Sequence, residues 1–519
     1  MKLCFLLLVN LVAFINCENI LYLSNVPSPS HFIWCKSLLY SLHERGHNIT
    51  ALSPDIEESK EKFTFLHLNQ VYSEIYNATE ELNFFEFNEA SPYELFMLYA
   101  DASEKACRGS IKSKGYKQLL DYPDDFKFDL AFFDFTMDPC LMGILQKFKH
   151  RPLLIGLSAF HSPGQFGANL LYPAFVPGHD LLYISKMNFQ ERFVSALVHL
   201  LEYFMRKLLF APLVEKVVRE VHPNVEYLLD VEKTAKMYFI NNNPIMNFQA
   251  PTFTNQKNVG GMQIKKPKEL PEELKTIADN AKHGLVFFSL GTNVRSDSLK
   301  DEIIVKILKA FSRLDKYTFL WKFETKEKLP IALPKNVKIK DWMPQNDILS
   351  HKNTKLFISH CGLLSIQESL YYGVPVLGMP VFADQPQNAL RMKELGVGEI
   401  LSILEFTEDE LYETLKKMLE SKSYKEKGER LSRAMHDRPM TAVEEATYWS
   451  EWLMRNPDID LEGAAADLNL FARHSFDVYT VLLAIFAVIL YVLIKIEIFI
   501  IKLIFCRNNT KSSKKQKLN

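Results

Sequence analysis

Short apolar runs alternating with amphipathic stretches set the plan of this chain. An apolar run at 20–23 leads into a loop at 24–30 that holds Pro27 and Pro29. Residues 31–45 follow, with Phe32, Leu38, Leu39 and Leu42 on one face at helical spacing. Ser30 is the predicted N-cap, Gly46 the predicted C-cap, and 47–52 the next strand. Farther along, 128–133 is an apolar strand that ends on Asp134.

The second half repeats the alternation. A strand at 285–289 runs into Leu290-Gly291-Thr292, then a helix at 299–314 and strands at 317–323 and 337–340. Two strand–loop–helix units follow. The first has a strand at 354–359, a polar turn at 360–365 containing Gly362, and a helix at 366–372 stopped by Gly373 and Pro375. The second has a strand at 374–377, with Phe382-Ala383-Asp384-Gln385 opening a helix at 386–395. Amphipathic helices at 408–419 and 442–454 close the pattern. Strand–helix alternation of this kind predicts α/β domains with parallel sheets. The expected boundaries are an N-terminal domain at 18–260, a linker at 261–275 and a C-terminal domain at 276–457.

The ends of the chain change the picture. Residues 1–17 carry Lys2 and a short apolar run, too short to span a bilayer, and read as a secretory signal. After a juxtamembrane stretch at 458–477, residues 478–494 give roughly 17 apolar positions, the short end for a span. The expected transmembrane helix is 478–501, followed by a basic tail at 502–519. A signal and one late span predict a luminal body and a cytosolic tail. Lys517 and Lys515 are the third and fifth residues from the end of the sequence, resembling a dilysine endoplasmic-reticulum retrieval signal. Sequons at Asn48 and Asn77 fall on the luminal side.

Composition narrows the classes. With 519 residues, 48% hydrophobic and 24% charged, the chain is too long for one core. A net charge of -1 points away from a nucleic acid partner. The seven cysteines show no metal-ligand spacing, and pairing of Cys107 with Cys140 stays open. Asp458-Ile459-Asp460 follows no strand and reads as a solvated turn, so no metal or other cofactor is expected.

The candidate chemistry is nucleotide-diphosphate binding. In an open parallel sheet, ligands sit at the carboxyl ends of strands, where helix N-termini offer free N–H groups. Gly362 lets backbone approach an anion, Ser365 adds a hydroxyl, and His360 adds an imidazole able to carry charge. Glu368 shares the face of Ser365 and suits a ribose diol. Trp342 offers a stacking face for a base. Asp384 and Gln385 make an acceptor–donor pair for sugar hydroxyls. In the first half, His31 at a helix N-terminus and Asp134 at a strand end fit either turn capping or catalysis. Asp138 is a competing carboxylate past the strand. The Phe-, Tyr- and Leu-rich stretch at 160–199 fits an apolar acceptor pocket or ordinary core.

The order Trp342-x-Pro344-Gln345, Leu349-x-His351, Phe357…His360-x-Gly362, Glu368, Gly373-x-Pro375 and Asp384-Gln385 resembles the signature of the UDP-glycosyltransferases, invertebrate members in particular. Cys361 stands where that signature has the first glycine of a pair. The resemblance implies two facing Rossmann-like domains, the GT-B fold, with a C-terminal transmembrane helix. It implies His31 as catalytic base, Asp134 as its partner, and donor contacts from Thr292, Trp342, Gln345, His360, Gly362, Ser365, Glu368, Asp384 and Gln385. It also implies a last helix that crosses back over the N-terminal domain. The expected activity is inverting transfer of a sugar from a UDP-sugar co-substrate to a small lipophilic acceptor, by a membrane protein that could be oligomeric. The resemblance also implies that glucuronate-using members place a cationic side chain in the segment matching 248–255; no Arg or His stands there, which favours glucose. A membrane-lipid acceptor, and an inactive UDP-sugar-binding protein, are the alternatives; Cys361 is the only support for the last.

Overall fold

A computed structural model describes residues 17–76, 92–160, 172–178, 181–184, 186–247, 249–463 and 468–515. The signal-peptide reading falls almost wholly outside these residues, as do Asn77 and Lys517. The chain divides into a body, Met1–Leu461, and a C-terminal unit, Glu462–Asn519.

The body carries two parallel sheets. The first contains β1 (Asn19–Leu23), β2 (Asn48–Ser53), β3 (Phe63–His67), β4 (Leu130–Asp134), β5 (Leu153–Ser158), β6 (Ala235–Ile240) and β7 (Gln256–Asn258). Its spatial order is β3-β2-β1-β4-β5-β6-β7. The second contains β8 (Leu285–Ser289), β9 (Thr318–Lys322), β10 (Val337–Lys340), β11 (Thr354–Ser359), β12 (Val376–Gly378) and β13 (Gly398–Ile400), in the order β10-β9-β8-β11-β12-β13. The central strands β1, β4, β5, β8 and β11 are largely apolar and buried, as expected where helices cover both faces, while the edge strands β7 and β10 carry polar residues. Tyr22, Phe132, Ile155 and Phe239 anchor the core on one side of the first sheet, and Phe288, Phe311, Phe319 and Trp321 that of the second.

Each sheet reverses its strand order once, between β1 and β4 in the first and between β8 and β11 in the second. At these points successive crossovers leave in opposite directions and open a crevice at the strands' carboxyl ends. In register, Leu23 pairs with Phe133 and Ser289 with Ser359, so each crevice is flanked by two loops that start level with one another.

Several boundaries differ from expectation. The first helix is Pro29–Glu44 with Ser28 as N-cap, not Ser30, because Pro29 suits the first helical position. Its C-cap is Arg45, and Gly46 (φ 98°) lies just beyond, where glycine is favoured. The turn after β11 is shorter than expected: the helix already spans Leu363–Tyr371 with Gly362 as N-cap, so Ser365 lies in its first turn. The following helix, Gln385–Glu394, has Asp384 as N-cap. Glu272–Asn280 is helical, which leaves only part of 261–275 as irregular connection. A helix at Lys422–His436 was not foreseen; its strongly charged sequence buries little beyond Gly428 and Met435.

The Ala442–Arg455 helix does cross back to the N-terminal sheet. Ala442, Ala446 and Leu453 enter that core, Thr447 Oγ1 donates to Ser41 Oγ at 2.8 Å, and Arg45 Nη2 donates to Glu451 Oε2 at 2.7 Å. Cys107 and Cys140 form a disulfide, with 5.6 Å between their Cα atoms. In the C-terminal unit one helix, Phe476–Lys515, includes the apolar stretch Phe476–Ile504, 29 residues long and sufficient to cross a membrane. It continues through Lys495 and Glu497, so the expected limits of 478–501 are widened at both ends.

Candidate functional site

His31 and Asp134 come together because β1 and β4 are neighbours at the first reversal point. Asp134 ends β4 and is 0% exposed, while the His31 side chain is 13% exposed. Burial penalises charge on Asp134. Contact with His31 and the Thr136 groups outweighs this and holds the carboxyl below its usual range. The Thr136 backbone N–H donates to Asp134 Oδ1 at 3.0 Å, and Ser24 Oγ donates to Oδ2 at 3.3 Å.

Asp134 is not the nearest neighbour of the imidazole. Thr136 Oγ1 lies 3.0 Å from His31 Nδ1, and Asp134 Oδ2 lies 3.5 Å from it. Both acceptors face Nδ1, so the arrangement favours the Nδ1–H tautomer and leaves Nε2 as the basic nitrogen. Thr136 was missed in the sequence; its position two residues past a strand end was the only available signal. Asp138 is buried and lies 3.6 Å from Arg206, which also pairs with Glu232. Burial, only partly offset by Arg206, pushes Asp138 up to about 6.

The second reversal point assembles the other half of the site. His360 directly follows β11, and its ring packs between Gly291 and Gly362. A Cβ at Gly291 would fall 2.5 Å from His360 Cε1, and one at Gly362 would fall 2.5 Å from Nε2. Two missing side chains therefore make room for this imidazole. Burial, with Lys322 nearby, lowers His360 to about 4. The sequence allowed this imidazole to carry charge; its burial between two turns disfavours the charged form. Lys322 brings a cation to this turn: it donates to the Gly291 carbonyl at 2.9 Å and pairs with Glu324 at 2.7 Å. At the end of a strand that reads only as core, Lys322 had no sequence signal.

Cys361 has φ 63°, the left-handed backbone expected for a glycine position. Its thiol is fully buried toward Gly378. Gln345 Nε2 donates to Ser365 Oγ at 3.1 Å and to Glu368 Oε2 at 2.8 Å, linking three predicted residues. Burial raises Glu368 to about 7, against the pull of the Gln345 bond. Gln385 Oε1 accepts from Val381 N at 2.9 Å and Phe382 N at 3.2 Å. Asp384 Oδ2 accepts from Asn388 at 2.7 Å. Trp342 is 69% exposed, so its ring face is open to contact.

One cavity of about 1450 Å³ joins the two crevices. His31, Thr292, Trp342, Gln345, His360, Gly362, Ser365, Glu368, Asp384 and Gln385 all line it, with Asp134 directly behind His31. Thr136, Asp138, Arg206 and Lys322 line it as well. Asp458 and Asp460 are exposed and are not part of its wall. Asn48 opens β2, an interior strand of the sheet, half-buried and with its amide donating to Asn19 at 3.0 Å.

Known proteins resemble this chain in sequence and in fold. The family model described as UDP-glucoronosyl and UDP-glucosyl transferase matches residues 22–512. The chain is 30% identical over 485 residues to UDP-glucosyltransferase 2 of Dactylopius coccus, covering 91% of each chain. It is 30% identical over 514 residues to human UDP-glucuronosyltransferase 2B15, covering 94% of this chain and 93% of that one. Among solved structures, the spinosyn forosaminyltransferase SpnP aligns with a TM-score of 0.56 at 15% identity, over 85% of this chain and all (100%) of that one. The glycosyltransferase of kitacinnamycin aligns with a TM-score of 0.54 at 18% identity, over 84% of this chain and 98% of that one. Two parallel α/β domains, a shared cleft and a family match across nearly the whole chain lead to one conclusion: the protein is an enzyme of the UDP-glycosyltransferase family with the GT-B fold, and it transfers a sugar from a UDP-sugar to an acceptor.

Proposed function

We propose that the enzyme moves glucose from UDP-glucose to a hydroxyl of a small lipophilic acceptor, with inversion at the anomeric carbon. The observation that carries this reading is the single cavity onto which both His31 and the donor signature open. His31 Nε2 takes the acceptor's proton as its oxygen bonds to the anomeric carbon. The bond from that carbon to the β-phosphate oxygen breaks, and its electron pair leaves with UDP. Asp134 and Thr136 orient the imidazole through Nδ1, and Asp134 stabilises the imidazolium that forms. Backbone N–H groups of the turns after β8 and β11, with Thr292 and Lys322, receive the charge that develops on the diphosphate. This needs no metal. Trp342, Gln345 and Glu368 hold the nucleoside, and Asp384 and Gln385 the sugar. Pro177, Gly178, Leu182 and Phe210 supply apolar wall on the acceptor side.

The absence of Arg and His at 249–255 supports glucose over glucuronate, although Phe248 itself lies outside the described residues. Lysines at 265, 266 and 268 do line the cavity, yet the Lys265 carbonyl accepts from Asn346 at 3.2 Å, which puts this segment at the nucleoside end. The Cys107–Cys140 disulfide supports an oxidising compartment. With the Phe476–Ile504 helix it favours a luminal body, a cytosolic tail and residence in the endoplasmic reticulum. The test is a donor panel on microsomes with 4-nitrophenol as acceptor. UDP-glucose should outcompete UDP-glucuronate and yield the β-glucoside. Equal or faster glucuronate transfer, or an α-linked product, contradicts the reading.

A further inference from the structure

The first turn of the His31 helix is held from outside itself. Ser28 is its N-cap by backbone geometry (φ -148°, ψ 110°), but the Ser28 hydroxyl makes no capping bond within the helix. Instead Ser28 Oγ lies 3.0 Å from Ser30 Oγ and accepts a hydrogen bond from Asn293 Nδ2 at 3.1 Å. Asn293 belongs to the opposite domain. It ends the turn Gly291–Thr292–Asn293 beyond β8, the same turn whose Gly291 carbonyl is gripped by Lys322. The link onward to the base is short: His31 N donates to the Ser28 carbonyl at 3.1 Å. Serine at an N-cap ordinarily satisfies a free N–H of its own helix. Here that capacity is directed across the cleft, to the turn assigned above to the diphosphate.

We propose that Asn293 is a positioning residue: its bond to Ser28 sets the His31 turn at a fixed distance from the donor-binding turn, so that the base and the anomeric carbon are brought into line together. The proposal rests on His31 as the base. Asn293 gives or takes no proton in the reaction. Its role is geometric, and transfer in line tolerates little misplacement; an error of about 1 Å can cost on the order of 100-fold.

A double-mutant cycle on the full chain in microsomes tests this, with UDP-glucose and 4-nitrophenol. Asn293→Ala and Ser28→Ala should each lower kcat roughly 10-fold or more with the donor KM little changed. The double variant should be no worse than the poorer single one, because both remove one bond. Ser28→Thr keeps the hydroxyl and should keep most activity. Losses that multiply in the double variant overturn the proposal, as does an Asn293→Ala variant that raises donor KM while kcat stays normal. Should Asn293→Ala fail to fold, as shown by its thermal melt, the comparison of Ser28→Ala with Ser28→Thr decides alone, and equal activity in those two contradicts the proposal. His31→Ala is run beside them. If it is inactive while the Ser28 and Asn293 variants are unimpaired, the cross-cleft tie is wrong and the base stands. If it is active, the base reading fails by itself.

Discussion

Cys361 holds a left-handed backbone (φ 63°) with its thiol sealed in the core. For a residue with a Cβ that conformation costs roughly 1–2 kcal/mol. Loss of the packed sulfur offsets part of the gain when the side chain is removed. Cys361→Gly should therefore fold normally and retain turnover within about twofold, as read from initial rates and a thermal melt. A large loss would give the thiol a role the geometry does not show. Glu368 offers a second test at this scale. Burial disfavours its charged form and pushes the carboxyl up to about 7. A ribose diol donates best to the ionised carboxylate, so donor affinity should rise as pH climbs from 6 to 8. The difference between a neutral and a charge-assisted hydrogen bond is about 1 kcal/mol, which corresponds to roughly fivefold in affinity. Glu368→Gln should flatten the profile and weaken binding; an unchanged slope would remove Glu368 from the nucleoside site. Most of these residues could be picked out in sequence because their types suit phosphate and sugar chemistry. Thr136 and Lys322 could not. Thr136 matters through its distance from His31, and Lys322 through what stands beside a strand end, and neither is encoded by local pattern.

At the scale of elements, the apolar runs located eight strands to within about two residues, since burial on both faces demands continuous hydrophobicity, but β3, β5, β6, β7 and β13 were not read from them. They did not state the strand order. That β1 neighbours β4 and β8 neighbours β11 follows from crossover direction, and those two adjacencies place His31 beside Asp134 and the Gly291 turn beside His360. Helix starts were less legible. Pro29 and Gly362 moved two of them upstream, because a proline at the first helical position or a glycine at the N-cap outweighs a serine farther in. The Lys422–His436 helix was hidden by its charge. The disulfide joins the Pro92–Lys112 helix to the segment Cys140–Lys147 across a sequence separation of 33. Two cysteines that far apart carry no pairing signal of their own. Closing such a loop stabilises the fold by about 3–4 kcal/mol in the chain-entropy picture. Reduction, or Cys107→Ala with Cys140→Ala, should lower the denaturant midpoint of the body accordingly. An unaltered midpoint would show that the bridge does not form in the folded protein.

On the scale of the whole molecule, the proposed mechanism divides the reaction between the two sheets of the body. In it one reversal point supplies the base and the other the donor contacts, and the Ala442–Arg455 helix ties the second domain back to the first through Glu451 and Thr447. Base and donor are thus held by separate sheets, so their losses should be separable. The decisive measurement is acceptor-dependent UDP release by wild type, His31→Ala, Asp134→Asn and Asp138→Asn, with UDP-sugar affinity determined independently. General-base catalysis is worth roughly 10²–10⁴-fold. His31→Ala should lose at least that much while binding donor almost normally. Asp134→Asn should also be severe, and combining it with His31→Ala should add little, because the two act as a unit. Asp138→Asn should be mild, since Asp138 pairs with Arg206 and not with His31. An active His31→Ala, or an Asp138→Asn as damaging as Asp134→Asn, would contradict the account.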